Sequence, residues 1–477
     1  MHSSLVVLGG GPGGYAAAFL AADLGMEVTL IEAEARLGGT CLLKGCIPSK
    51  ALLHVAKVIN EAAEMAAWGV TYERPAIDIN ALRARKEKVI QTLSGGLAQL
   101  AKQRKVTVIR ARGVFEDSQT IYLKGEGVKP GEERITFEHC ILAVGSIPTR
   151  ISAFDLPTDR VLDSTSALEL KDIPQSLLVI GGGYIGLEMG TVYAELGTRV
   201  SVVELTSGLL PGADRDLVKP LHARLAKLFA KIDLDTKVVE LKDRGDSIEV
   251  KLQNSEGVKT ESFSRVLVSV GRRPNSAGIG LDRTKVELDQ RGFVKVDDKQ
   301  RSADPHILAI GDVAGEPMLA HKASHEGKVA VEALHGGPAA FDPLAIPAVV
   351  FTDPEIAWAG LTEEGAKQAG REVQIARYPW AASGRAQALL RTEGLTKLVI
   401  EPETERILGV GIVGIGAGDL IAEGVLAIEM GATVRDVTES IHAHPTLSET
   451  LAFAGEVHLG LATEIYKPKT RPRPAAS

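Results

Sequence analysis

With 477 residues, 45% of them hydrophobic and 24% charged, the chain is too long for one hydrophobic core and reads as a globular protein of about three or four domains. A formal charge of -7 leaves no basic surface for nucleic acid or anionic lipid, and the basic stretch Arg83–Lys88, interrupted by Ala84 and Glu87, reads as one solvated helix face. No apolar run is long enough to span a bilayer and the N-terminus lacks the ordered regions of an export signal, so a cytoplasmic protein without a membrane partner is expected.

The first element is an apolar strand, Leu5-Val6-Val7-Leu8, that runs into a glycine-rich turn, an apolar helix and a second strand ending in Glu32. Val179–Glu204 aligns with Val7–Glu32 without a gap, at an offset of 172 residues. A repeat of this kind marks a duplicated structural unit. Gly9 and Gly181 make the tight turn leaving the strand, and Gly11 and Gly183 let a pyrophosphate approach the helix N-terminus. Gly14 and Gly186 let that helix lie close on the sheet, while Glu32 and Glu204 fall where a carboxylate accepts hydrogen bonds from ribose hydroxyls. Two dinucleotide sites are therefore expected. A 2′-phosphate beside Glu204 would be repelled, so the second site favours NAD(H) over NADP(H).

Between the two units lies Gly38-Gly39-Thr40-Cys41-Leu42-Leu43-Lys44-Gly45-Cys46-Ile47-Pro48-Ser49-Lys50. The two cysteines can meet if the loop between them is compact, with a helix expected over Ala51–Ala67. Cys46 then lies near a helix N-terminus, where the dipole favours thiolate, and Lys50 lies one turn beyond on the same face. Two inert cysteines are the alternative reading. Zinc would need two further ligands, and the third cysteine, Cys140, sits in the apolar run Cys140–Val144 as a core strand residue, so no metal is expected.

Gly409–Ala432 is apolar and glycine-rich but broken by Asp419, Glu423 and Glu429, which reads as a buried or interface segment. It is followed by His442-Ala443-His444-Pro445-Thr446-Leu447-Ser448-Glu449. An imidazole is suited to taking protons near neutral pH, and Glu449 can reach back to orient one. The same two histidines could equally form a structural or weak metal site. The segment from Lys467 to Ser477 is rich in proline and basic residues and reads as a loose tail.

Gly38–Lys50 resembles the redox-active disulfide motif of the class I pyridine nucleotide–disulfide oxidoreductases, and the similarity extends from about Leu5 to Ile465. The resemblance implies that the first unit binds FAD and the second NAD, that Cys46 is the flavin-proximal thiol and Cys41 the interchange thiol, and that Lys50 and Glu188 form an ion pair beside the flavin. Leu43 and Lys44 depart from the usual Asn and Val. Gly145 in Ile141–Ser146 and Gly271 in Gly271–Asn275 match the family's turns closing the FAD and NAD segments. Asp312, in Ile310–Val313, matches its ribitol-holding residue, and Ala320, in Leu319–Ala323, its next flavin contact. His444 matches the acid–base catalyst with Glu449 as its partner, and His442 is left as structural support.

The implied fold is α/β, with two Rossmann-like domains, a central domain and a C-terminal α+β dimerisation domain. The boundaries expected are 1–148 for FAD and the dithiol, 149–270 for NAD, 271–341 for the central domain, 342–465 for dimerisation and 466–477 for the tail. With no cysteine after Cys140 to relay electrons outward and Glu204 disfavouring NADP(H), the implied activity is oxidation of dihydrolipoamide by NAD. The implied partners are a lipoyl-bearing acyltransferase or carrier protein and a second copy of the chain, in a homodimer that shares its active sites. The alternatives are another NADH-dependent disulfide or quinone reductase, or a noncatalytic scaffold that keeps the fold.

Overall fold

A strand buried on both faces needs apolar side chains at every position, and Leu5–Leu8 meets that demand. In the computed structural model, which describes residues 1–466, this run forms the end of the strand His2–Leu8, paired in parallel with Val28–Glu32 and with Arg134–Leu142. Alternation sends Leu5 and Val7 into one core with Ala17, Ala18 and Phe19. Val6 and Leu8 enter another with Phe115 and Phe137. Thr107–Arg110 extends the sheet in parallel beyond Val28–Glu32, and Thr120–Lys124 and Arg112–Asp117 add an antiparallel wing beside Arg134–Leu142.

The expected central segment does not stand apart from this sheet. Its strand Ile307–Ala309 pairs in parallel with Arg134–Leu142, and its helix Ala320–Leu334 lies along the helix Pro12–Asp23. Arg272–Pro274 pairs with Ser146–Pro148. The second glycine-turn repeat builds a five-stranded parallel sheet in the order Lys231–Asp233, Arg199–Val203, Ser176–Ile180, Arg265–Val268 and Val161–Leu162. A three-stranded antiparallel sheet, Lys237–Phe263, follows in the chain.

The chain divides into two compact units, one of Met1–Ser207 with Lys231–Asp342, the other of Gly208–Ala230 with the chain from Pro343 onward. The second holds an antiparallel sheet in the order Ala348–Val350, Glu355–Gly360, Ile407–Gly414, Leu395–Ile400 and Gln374–Pro379. The apolar segment beginning at Gly409 becomes the last part of the strand Ile407–Gly414 and the helix Ala417–Glu429. Leu426 and Met430 on this stretch are exposed in the single chain. No helix among the described residues is long and apolar enough to cross a membrane. The expected tail lies outside the described residues except for Tyr466.

One segment departs from its expected place. The helix Arg215–Leu228 falls inside the expected NAD segment 149–270 but belongs to the second unit. Its apolar face, Leu217, Val218, Leu221 and Leu225, is buried, and Leu217 fills the space a side chain at Gly411 would occupy, 2.6 Å from the position of its Cβ. An ion network holds the helix start. Lys397, 1% exposed, meets Asp214 at 2.6 Å, Asp216 at 2.7 Å and Glu363 at 3.3 Å. Arg377 also binds Asp216 and Glu363, so this acidic trio already has its cations. A second departure is Lys86. Rather than lying on a solvated face, it turns inward to donate to the carbonyl of Leu168, and burial pushes its ammonium down.

Removing one member of a buried ion network strands the rest. Lys397→Met keeps the apolar stem but leaves Asp214 buried without its cation, and we expect a loss of about 3–5 kcal/mol in the unfolding free energy. Urea denaturation would measure it, and an unchanged midpoint would show that the network contributes nothing.

Candidate active site

Both glycine turns have the same construction. At Gly9, φ is +112° and a Cβ would stand 2.3 Å from the carbonyl oxygen of Ala143. At Gly181, φ is +105° and the obstacle is the carbonyl oxygen of Ser269, at 2.6 Å. Gly11 and Gly183 cap the helices Pro12–Asp23 and Tyr184–Leu196. The acids repeat as well. Glu32 accepts from the N–H of Gly10 at 2.7 Å and of Glu34 at 2.8 Å. Glu204 accepts from the N–H of Gly182 at 2.6 Å and of Thr206 at 2.8 Å, and from the Thr206 hydroxyl. Both backbone bonds recur at the offset seen in the sequence. Burial pushes the Glu32 carboxyl up, and the two N–H donors oppose this.

A cavity of about 590 Å³ opens above the first turn, within the size range of cofactor and ligand sites. Its wall brings together Gly9, Gly11, Glu32, Cys41, Cys46, Lys50, Gly145, Glu188, Asp312 and Ala320. Gly14 lies outside it, because its task is packing: a Cβ there would stand 1.8 Å from the carbonyl oxygen of Gly9. Gly181, Gly183, Gly186, Glu204 and Gly271 also lie outside this wall, although Tyr184 and Ile185, which follow the second turn, belong to it. A glycine-lined floor, open helix N-terminus and buried ribose-type acid suit an extended dinucleotide.

The cysteines are carried by helix rather than by the expected loop. Cys41 lies in the short helix Gly39–Lys44, and Cys46 is the first residue of the helix Cys46–Glu64. Gly45 joins them, and a Cβ there would come 3.0 Å from the carbonyl oxygen of Thr40. The helix therefore starts five residues before the expected Ala51, which puts Cys46 directly at the positive end of the dipole. The two sulfurs are unbridged thiols that hydrogen-bond to each other. The bond donated by Cys41 lowers the Cys46 thiol to about 7, with help from Lys50 and against burial. The same bond, with burial, pushes Cys41 up. Lys50 pairs with Glu188 at 2.8 Å, and Glu188 is only 3% exposed on the helix Tyr184–Leu196. Cys140 is fully buried in its strand, where burial pushes its thiol up.

The remaining pair lies in the second unit. His444 Nδ1 and Glu449 Oε1 are 2.8 Å apart, and Glu449 Oε2 accepts from the N–H of Thr446 at 2.8 Å. The carboxylate is thus held from two sides while the imidazole stays largely exposed. His442 turns away, to Glu423 at 2.6 Å and to the carbonyl of Ser440 at 2.8 Å.

Sequence reasoning missed several cavity neighbours. Tyr184 directly follows the second glycine turn, a position that could have flagged it. Lys322 and Glu326 form a buried pair at 2.6 Å, and Glu326 accepts from the N–H of Gly311. Their spacing on the helix Ala320–Leu334 was a readable signal. The bonds among Ser146, Arg272 and Asp312 left no such mark.

Residues 3–327 match the family model described as pyridine nucleotide-disulphide oxidoreductase, and residues 346–454 match the dimerisation domain of the same family. A dihydrolipoyl dehydrogenase of Vibrio parahaemolyticus is 47% identical, with 98% of this chain and 97% of that protein covered. One of Geobacillus stearothermophilus is 42% identical, with 98% of each covered. Among solved structures, LpdA from Mycobacterium tuberculosis superposes with a TM-score of 0.86 at 26% identity, covering 95% of this chain and 99% of that one. The HOCl-induced flavoprotein disulfide reductase RclA from Escherichia coli gives 0.84 at 26% identity, covering 96% and 99%.

The Cys46 thiol, lowered to about 7, is expected to be thiolate above that pH in the reduced protein and to regain its proton below it. Lys50→Met removes a favourable charge and leaves Glu188 to oppose the thiolate, so the midpoint moves upward by roughly one unit. Ultraviolet thiolate absorbance against pH reads it directly, and an unmoved midpoint would show that Lys50 does not act on the sulfur.

Proposed function

Since the chain belongs to the pyridine nucleotide–disulphide oxidoreductase family, we propose that it oxidises protein-bound dihydrolipoamide to lipoamide, with FAD and NAD as cofactors. The observation that carries this reading is the neighbouring thiols Cys41 and Cys46 in the wall of one cavity with the glycine turn, Lys50 and Asp312. The domain scheme belongs to the same reading, except that residues 208–230 fall with the compact unit that begins again at Pro343.

In the reaction, His444, oriented by Glu449, takes a proton from one thiol of dihydrolipoamide. The resulting thiolate attacks Cys41 Sγ of the oxidised Cys41–Cys46 pair, forming a mixed disulfide and releasing Cys46. A thiol of low pKa leaves more readily, which makes Cys46 the leaving group and Cys41 the sulfur attacked. The second substrate thiol displaces Cys41, closing the lipoamide ring and leaving both cysteines reduced. The protein pair thereby gains the two electrons that the substrate dithiol loses. Bound FAD would supply the acceptor for this electron pair and the hydride source for NAD⁺. Gly9, Gly11, Glu32, Gly145, Asp312 and Ala320 would hold the flavin, and Gly181, Gly183, Gly186, Glu204 and Gly271 would hold NAD. Lys50, paired with Glu188, keeps a positive charge beside Cys46.

The chain acts as a homodimer in which His444 of one subunit serves the dithiol of the other. The lipoyl group arrives on the acyltransferase or carrier protein of a 2-oxoacid dehydrogenase or glycine cleavage complex, in the cytoplasm.

Turnover of dihydrolipoamide with NAD⁺ is expected to fall at least about 10³-fold in Cys41→Ser or Cys46→Ser, as for loss of a covalent intermediate. His444→Gln is expected to lower it about 10²–10⁴-fold while NADH still reduces the flavin. Activity confined to NADH with glutathione disulfide or quinones would replace this substrate with that of a different reductase.

A further inference from the structure

Asp312 does not stand alone in the cavity wall. Its Oδ2 accepts from the Ser146 hydroxyl at 2.5 Å. That hydroxyl oxygen in turn accepts from Arg272 Nε at 2.8 Å, while Arg272 Nη2 donates to the Ser146 carbonyl at 2.7 Å. A guanidinium only donates, and a hydroxyl has one proton to give. With Arg272 supplying a proton to the Ser146 oxygen, the hydroxyl proton points to the carboxylate. The polarity of the chain Arg272–Ser146–Asp312 is therefore fixed along its length.

Its backbone is fixed as well. Ser146–Pro148 and Arg272–Pro274 pair as antiparallel strands. Asn275 N–H donates to the Gly145 carbonyl at 2.9 Å, and Thr149 N–H to the Gly271 carbonyl at 3.0 Å. Ser146 is 5% exposed, so water does not compete freely for its hydroxyl. Arg272 comes from the turn that leaves the second parallel sheet, whereas Asp312 follows a strand of the first.

We propose that Ser146 and Arg272 are positioning residues for the flavin, locking the rotation of the Asp312 carboxylate so that it meets the cofactor in one orientation. This rests on Asp312 holding FAD, as proposed above. Their effect is read in how firmly FAD is kept.

The test follows FAD release from the full-length flavin-loaded protein by the rise of free-flavin fluorescence, with circular dichroism melting as the control for folding. Ser146→Ala and Arg272→Met are each expected to speed release about tenfold, the scale of one charge-assisted hydrogen bond. The Ser146→Ala/Arg272→Met double variant is expected to release no faster than the faster single, because both substitutions break the same chain. Ser146→Thr, which keeps the hydroxyl, stays near the parent rate. Should Asp312→Asn lose FAD quickly while both single variants keep it, the relay is wrong and Asp312 remains a flavin residue. Should Asp312→Asn itself keep FAD at the parent rate, the flavin-holding role falls and this inference falls with it. Multiplying effects, about a hundredfold in the double variant, would mean two independent contributions and would also overturn the relay.

Discussion

The carbonyl oxygen of Gly9 lies 1.8 Å from the point where a side chain at position 14 would begin. No other residue type fits, so the helix Pro12–Asp23 rests directly on the exit of the strand His2–Leu8. That closeness leaves the helix N-terminus open to the cavity instead of to its own sheet. The second glycine turn repeats the exclusion between Gly186 and Gly181, at 2.4 Å. Anion-binding backbone at a strand exit is then a product of packing, and the charged side chains around it only add to what the main chain provides.

Around the sulfurs, large effects oppose each other and the balance is local. Burial works against a thiolate at Cys46, and Glu188 works against it too. The hydrogen bond from Cys41, the ammonium of Lys50 and the start of the helix outweigh them. Glu188 would itself be costly at 3% exposure without a cation. Lys50 meets both needs, and it also ties the cysteine-bearing helix to the helix Tyr184–Leu196.

How much of this could be read beforehand depended on the range of the interaction. The duplicated unit was legible because turn, helix and acid are all encoded within 26 residues (Val7–Glu32), and even the bonds Glu32–Gly10 and Glu204–Gly182 follow the repeat. That Glu449 can reach back to an imidazole was legible for the same reason, His444 being five residues away, but the choice of His444 over His442 came from family resemblance. The span from Cys41 to Cys46 was not, since the six-residue helix Gly39–Lys44 is too short for a hydrophobic period to reveal. Lys50–Glu188 spans 138 residues and came from family resemblance alone. The helix Arg215–Leu228 has an ordinary apolar stripe, which states that it covers a sheet without stating which one. The buried side chain of Lys397 and the bare backbone at Gly411, which admits Leu217, decide that.

That helix has a consequence for the architecture of the polypeptide. The chain passes from the first unit to the second at Ser207, returns at Lys231 and leaves again after Asp342. Three crossings mean that no single backbone cut yields two self-sufficient fragments: any one break strands part of one unit on the other's piece. During synthesis, the segment 208–230 emerges more than a hundred residues before the sheet it belongs with begins at Ala348. Its apolar stripe is therefore made well before the sheet that covers it.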